Sequence, residues 1–491
     1  MLRDVAALSS ARFLTAALAL GAVPASAAAA KSKPPVAQAD AWIASNADTL
    51  RAVNHRIWSH PEVGLREEHS SAELIALLER SGFTVQRGVA GMPTAFVATA
   101  GSGRPIVGIL AEYYALPGMS QAASAEKRPR DGDASNNAGH ACGHSVFGTG
   151  STAAGIAAWT AASAAHLPGT IRVYGTPAEE TGIGKCFMAR AGLFDDLDAA
   201  LHWHVGDKTQ VTYAASKAVI SIKFHFDGLA AHASMSPYLG FSALDGVELM
   251  DVGVNYLREH VKEDSRIHYV ITNGGGQPNV VPPTAEVWYY LRADSHHDDE
   301  HILDRVRDIA RGAALMSGTK VTEHIDSDSF ELLPNRPLSE LLQRQLERVG
   351  APRFDDSERD FANKTQKDLP EPPPAPLADG IEPLPAESFR LPASTDVGNV
   401  SWAVPTSGMT VASYTLGAPG HSWQIAACTG TSIGEKGMLV AARTLAGAAL
   451  ELLSDPSLVA AARRDFDARL AKNPHPASTL PPGQGPPVAI R

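Results

Sequence analysis

Thr170-Ile171-Arg172-Val173-Tyr174-Gly175-Thr176-Pro177-Ala178-Glu179-Glu180 is the stretch on which the fold turns. Its first half is a short apolar run that reads as a strand, and its second half is a turn carrying two adjacent carboxylates. Before it, residues 146–165 are rich in Ala and Gly and look helical. After it, residues 198–205 read as a further strand, with His202 and His204 at strand spacing and therefore on one face. Further upstream, residues 40–59 and 70–81 have helical periodicity, and 83–86, 95–98 and 105–110 read as strands. Helices interleave with strands, which predicts the α/β class.

Beyond residue 215 the pattern changes. A strand at 218–226 is followed by a helix at 241–259, strands at 267–272 and 284–293, a helix at 300–315 and a strand at 320–325. That βαββαβ order resembles a small ferredoxin-like module inserted in a larger domain. Helix and strand character resumes from 337 to 453, interrupted at 368–388, where repeated Pro forbids regular structure. The Pro-rich stretch from 473 is predicted to be disordered. The expected organisation is a targeting segment at 1–27, a catalytic domain split between 36–215 and 327–468, an insert at 216–326 and a tail at 469–491.

Arg3 and Arg12 flank the short apolar run 13–23, which is followed by Pro24 and the small-residue site Ala25-Ser26-Ala27. The run is too short to span a bilayer. Cleavage near Ala27 predicts a soluble periplasmic or secreted protein with no stable membrane span. The 491 residues suffice for one large or two medium domains. A net charge of -11 without a basic patch argues against nucleic acid or an anionic membrane as the main partner.

The chemistry gathers in two clusters, His140-Ala141-Cys142-Gly143-His144 and the Glu179-Glu180 pair. Cys142 and His144 can converge from a tight Gly-containing loop onto a borderline-soft cation such as Zn²⁺. Taken alone, each cluster has an ordinary reading. A lone Cys is usually a small buried apolar residue, and a Glu pair is usually solvated. Together they describe a metal site with a catalytic carboxylate beside it. Adjacent side chains at a strand end point in opposite directions, so one Glu can ligate while the other serves as general base toward a water that the metal activates. The three Cys form an odd set; with Cys142 on metal, a Cys186–Cys428 bridge stays open.

These motifs, with His202-Trp203-His204, Ala230-Ala231-His232-Ala233, Asn279-Val280-Val281-Pro282 and Gly417-Ala418-Pro419-Gly420-His421-Ser422, resemble the aminoacylase/carboxypeptidase superfamily of dinuclear metallopeptidases. Within it they are most similar to the branch containing the B-type subunit of aminobenzoyl-glutamate hydrolase. Residues 57–64, Ala115-Leu116-Pro117-Gly118 and Ser394-Thr395-Asp396-Val397 also match, so the resemblance runs from about residue 40 to about residue 453.

The resemblance implies a mixed-sheet metallopeptidase domain with the ferredoxin-like insert as lid and dimerisation domain. It implies two divalent metal ions, Zn²⁺ or Mn²⁺ with Co²⁺ as a substitute, held by Cys142, His144, Glu180, His204 and His421, with Cys142 bridging. Glu179 would be the general base. His232 would reach the active site of a homodimer partner, and Asn279 and Arg292 would contact the substrate carboxylate, for which Arg has bidentate geometry. His202 is then a neighbour rather than a ligand, and a strand-end Arg292 also has the ordinary reading of a solvated rim residue.

The family carries an Asp where this chain has Tyr114, and Glu112 is placed to compensate. The implied activity is cleavage of a small-molecule amide, an N-acyl or N-aroyl amino acid such as aminobenzoyl-glutamate. The alternatives are a dipeptidase or xenobiotic amide hydrolase, and a silent metal- or ligand-binding relative. Glu179 beside a ligating Glu180 favours catalysis.

Overall fold

The computed structural model describes residues 34–131 and 137–488; the targeting segment read at 1–27 lies outside the described residues. Strands numbered in chain order are β1 (Thr84–Arg87), β2 (Phe96–Ser102), β3 (Ile106–Ala111), β4 (Gly169–Gly175), β5 (Ala199–Gly206), β6 (Gln210–Thr212) and β7 (Ala214–Ala215). They continue as β8 (Ala218–Asp227), β9 (Arg266–Asn273), β10 (Thr284–Ala293), β11 (Lys320–Ser329), β12 (Phe389–Arg390) and β13 (Thr406–Ala412).

The larger sheet has the order β1-β2-β4-β3-β5-β13-β6. Its centre is parallel, β4 with β3, β3 with β5 and β5 with β13, and its flanking pairs are antiparallel. The central strands β3 and β5 are buried almost throughout because both faces are covered, and β5 breaks its apolar run only at His202 and His204. Two long helices, His144–Ala164 and Ser432–Ser454, pack in that core. Among the described residues the second is the one helix long and apolar enough to cross a membrane, and its burial marks it as a core helix.

Small residues let His144–Ala164 approach the sheet closely. A Cβ at Gly148 would stand 2.5 Å from the Glu112 carbonyl oxygen, and one at Gly155 would stand 2.3 Å from Val173 Cγ2.

The insert forms a second, antiparallel sheet in the order β11-β8-β10-β9. Helices Ala243–Leu257 and His296–Ser317 contribute their apolar faces to its core. Strand β10 alternates residue by residue between buried and half-buried, the period-two signature that made it readable. The end of β11 ties the insert to the Glu-pair turn: Ser327 Oγ donates to the Thr181 carbonyl at 2.7 Å and Ser329 Oγ to the Gly182 carbonyl at 3.3 Å.

Two expectations need correction, and the open question of a Cys186–Cys428 bridge closes. The helical pattern at 40–59 is two helices, Pro35–Ser45 and Ala47–Ser59, broken where the Asn46 side chain bonds back to the Trp42 carbonyl. The Pro-rich tail is not loose through residue 488. Thr479 N–H donates to Asp328 Oδ2 at 2.6 Å, Arg190 Nη2 to the Pro481 carbonyl at 2.6 Å, and Leu480 is buried. Proline removes donors but leaves carbonyl acceptors and apolar surface for docking. Cys186 and Cys428 are free thiols in separate apolar clusters, so they form no bridge.

One substitution at two helical glycines tests this packing. Gly155→Ala is expected to destabilise by about 1–3 kcal/mol through overpacking. Gly312→Ala, where nothing lies within 4 Å, is expected to stabilise by about 0.5–1 kcal/mol through lost unfolded-state freedom. Denaturant melts of the two variants read both signs.

Candidate active site

Gly143, at φ +74°, turns the chain into the helix His144–Ala164 and separates Cys142 from His144. A Cβ there would meet Val205 Cγ2 at 2.8 Å, so glycine alone brings this loop against β5. His204 on β5 faces it: its Nε2 lies 3.4 Å from Cys142 Sγ and 3.3 Å from His144 Nε2. His204 Nδ1 is 2.8 Å from the Val205 carbonyl, which can only accept. Nδ1 therefore carries the proton, and the Nε2 lone pair points inward.

The Glu pair is delivered differently from the sequence expectation. Strand β4 ends at Gly175, and Glu179–Thr181 is a single 3₁₀ turn entered through Ala178 at φ +53°. The turn, and not strand alternation, separates the two carboxylates. Glu180 Oε2 lies 2.9 Å from Nε2 of His421, itself at φ +56°, while Glu179 Oε1 accepts from Thr395 Oγ1 at 2.9 Å. Left-handed backbone at two non-glycine residues of one site is strain of the kind that functional sites hold.

Two donor triples share one atom. Cys142, His144 and His204, and separately Cys142, Glu180 and His421, each place their ligand atoms within 4.8 Å of one another. A third group joins Glu112 and Glu179 to His144. Thiol, imidazole and carboxylate together suit a borderline-soft divalent cation. Glu180 Oε1 and Glu112 Oε2 are buried with no hydrogen-bond donor, as oxygens facing a cation would be. Burial holds the His144 imidazole neutral and ready to ligate. Burial, with Glu180 and Glu179 alongside, pushes the Cys142 thiol well up, so the thiolate is favoured there only with a cation present. The residues fit divalent metal ions, and Cys142 Sγ is common to both triples.

Beneath the donors lies a buried ionic triad. Lys185 Nζ is 2.6 Å from Asp396 Oδ1 and 2.7 Å from Glu112 Oε1, and Glu112 Oε2 is 3.2 Å from His144 Nε2. Burial pushes Glu112 well up and Asp396 to about 6, with Lys185 opposing both. Burial also acts against the Lys185 charge, but Asp396 and Glu112 outweigh it and its pKa rises. Sequence reasoning missed Lys185, whose local context reads as a short helix with a charged residue. It also missed Glu67, fully buried, which accepts from the Ala178 N–H at 2.8 Å and from Thr94 Oγ1 at 2.9 Å and so fixes the Glu-pair turn from behind.

The remaining residues divide between cavity and surface. His202 lines the cavity against Gly408, with Nε2 unpartnered and burial, then Lys185, lowering its pKa to about 3; it belongs to none of the donor groups. Tyr114 is buried, its ring beside Gly64, while Glu112 turns toward the donors. A cavity of about 620 Å³ runs from Cys142, Glu180 and His421 to Tyr290 and Arg292 of the insert. Arg292 Nη1 donates to Ser394 Oγ at 2.8 Å and its Nε is buried without an acceptor. His232 and Asn279 do not line this cavity. They sit on two exposed, paired loops of the insert, where Ala233 N–H donates to the Asn279 carbonyl at 3.0 Å.

Residues 115–358 match peptidase family M20/M25/M40. The chain is 41% identical over 429 residues to a subunit of the p-aminobenzoyl-glutamate hydrolase of Escherichia coli, covering 82% of this chain and 89% of that one. It is 29% identical over 439 residues to the Xaa-Arg dipeptidase of Mus musculus, covering 86% and 90%. A Bacillus subtilis dinuclear metal-binding peptidase of the M20 family shares the fold, with a TM-score of 0.54 at 16% identity over 84% of this chain and 99% of that one. The chain belongs to peptidase family M20/M25/M40 and is a hydrolase of amide bonds.

Glu67 gives a pH test. Burial raises its pKa to about 7 in the folded chain from an ordinary value of 4.5. Between those values the unfolded chain loses the proton that the folded chain keeps, so stability falls as pH rises through about 4.5 to 7. Glu67→Gln, uncharged throughout, is expected to match the parent melting temperature near pH 4 and exceed it at pH 8. A variant that melts lower at pH 8 would contradict the assignment.

Proposed function

We propose that this enzyme hydrolyses the amide bond of N-acyl or N-aroyl amino acids, aminobenzoyl-glutamate being the type substrate. The observation that carries the reading is the charge layout of the cavity. Its lining carboxylates, Glu112, Glu179, Glu180 and Asp396, belong to the donor cluster and the Lys185 triad, and Arg292 is the one Lys or Arg among the described lining residues. Such a cavity receives a substrate carboxylate on the guanidinium. A cationic side chain, as an Xaa-Arg dipeptide would bring, finds no free carboxylate there.

Cys142, His144 and His204 would hold one divalent ion and Cys142, Glu180 and His421 the other, with Zn²⁺ or Mn²⁺ as the expected metals and Co²⁺ as a substitute. When bound, such a pair polarises the amide carbonyl and acidifies water. Glu179 takes the proton from the attacking water and delivers it to the departing amine nitrogen. Arg292 anchors the carboxylate of the amino-acid half and so orients the amide against Glu179.

Two further elements belong to this reading. Strand β9 is the outer strand of the insert sheet and exposes Val270 and Ile271, while the nearby loops expose Leu229, Tyr238, Phe241 and Val280. An open apolar edge of this kind is suited to pairing with a second copy, which would carry its own exposed His232 and Asn279 to the neighbouring cavity. The apolar run 13–23 and the site at Ala25-Ser26-Ala27 support export to the periplasm or beyond, with cleavage near Ala27.

The first test is chelator stripping and reloading of the mature chain against aminobenzoyl-glutamate, other N-acyl amino acids and Xaa-Arg dipeptides. Metal-restored cleavage of the carboxylate-bearing N-acyl substrates is expected; preference for Xaa-Arg would overturn the substrate assignment. Glu179→Gln is expected to lower kcat by about 10²- to 10⁴-fold with metal retained. Mixing inactive His232→Ala and Glu179→Gln chains is expected to restore activity through hybrid dimers. No recovery despite proven exchange would contradict the shared site and turn attention to a different partner chain.

A further inference from the structure

The motif Ser394-Thr395-Asp396 has no role in the chemistry above, yet each of its three side chains holds a different part of the site. Ser394 Oγ accepts from Arg292 Nη1 at 2.8 Å. Thr395 Oγ1 donates to Glu179 Oε1 at 2.9 Å while accepting the Val397 N–H at 3.3 Å, so its proton is directed at the carboxylate. Asp396 takes the Lys185 backbone N–H on Oδ2 at 2.8 Å and the Lys185 ammonium on Oδ1 at 2.6 Å.

The segment is fixed on both sides. Upstream, the Ala393 carbonyl accepts from Lys217 N–H at 2.9 Å. Downstream it enters the buried helix Val397–Ala403. There a Cβ at Gly398 would stand 1.8 Å from the Phe330 carbonyl oxygen, and Asn399 Nδ2 donates to the Asp328 carbonyl at 3.0 Å. A chain held this tightly has little freedom to let Thr395 or Ser394 drift.

We propose that Ser394, Thr395 and Asp396 form a positioning strap that, referenced to the core through Lys185, aims the Glu179 carboxylate at the reacting water and the Arg292 guanidinium at the substrate carboxylate. The proposal rests on the roles assigned to Glu179 and Arg292 above. It adds that the two working groups are set by neighbouring residues of one rigid segment yet act on different kinetic constants. Thr395 governs the chemical step, where small misplacements are costly. Ser394 governs recognition of the carboxylate, because a guanidinium whose plane is set before binding loses less freedom on binding.

The experiment is steady-state kinetics on the metal-loaded, full mature chain, with melting temperatures recorded for every variant. Thr395→Val, which keeps the branched shape and removes the hydroxyl, is expected to lower kcat by about 10- to 100-fold with KM within about twofold, and Thr395→Ser to restore it. Ser394→Ala is expected to raise KM for an N-acyl amino acid by about tenfold with kcat nearly unchanged. It should leave KM for the matching carboxamide, which lacks the carboxylate, where it was.

Loss of kcat and KM together in both variants, with lowered melting temperatures, would reduce the segment to a structural loop and overturn the proposal, as would two silent variants. Glu179→Gln and Arg292→Lys run alongside separate the two levels. If these are impaired while the strap variants are silent, the strap is wrong and the site reading stands; if these too are silent, the site reading itself has failed.

Discussion

The ammonium of Lys185 sits between Glu112 and Asp396 with all three side chains shut off from solvent. Lys185 opposes the burial that pushes both carboxyls up, and the same small volume holds Glu179, Glu180 and the Cys142 thiol. Removing either partner of such a buried pair strands a charge at a cost of about 3–5 kcal/mol. The triad is therefore a constraint on everything around it. It draws the end of β3, the helix Gly184–Arg190 and the segment before Val397–Ala403 to one point, and it leaves an excess of negative charge above them that divalent cations can balance.

From that point the geometry follows in two directions. Toward the sheet, the Gly143 turn and His204 on β5 converge on Cys142 Sγ. Toward the insert, Ser327 and Ser329 of β11 grip the Glu-pair turn, and Arg292 of β10 reaches Ser394. The cavity is thus walled by two layers whose relative placement is set by hydrogen bonds to the same few segments. In the proposed function a carboxylate-bearing amide lies between the carboxylates of the donor cluster and Arg292, the one guanidinium among the described lining residues.

How much of this was legible in the sequence depends on the range of the interaction. Cys142 and His144 stand two residues apart around an obligatory glycine, and His202 and His204 share a strand face, so local spacing was enough to nominate them. The insert was readable because the period-two burial of β10 and the helical periods around it are local as well. Lys185 and Glu67 were not readable. Their partners lie 211 and 111 residues away along the chain, and nothing in either neighbourhood marks the pairing. Composition misled at the tail, where prolines forbid helix and strand but leave Leu480 and several carbonyls free to dock. Tyr114 stands out in the sequence as a departure, but only the fold shows its ring beside Gly64 and Glu112 turned to the donors.

In the proposed function Cys142 belongs to two metal sites at once. The most direct measurement is the number of tightly held divalent ions per chain, by elemental analysis after stripping, reloading and desalting. The parent is compared with His421→Ala and Cys142→Ser. Two ions are expected in the parent, one when His421 is removed, and neither when Cys142 is replaced. A single ion in the parent, or two retained without the thiol, would contradict the shared-ligand site.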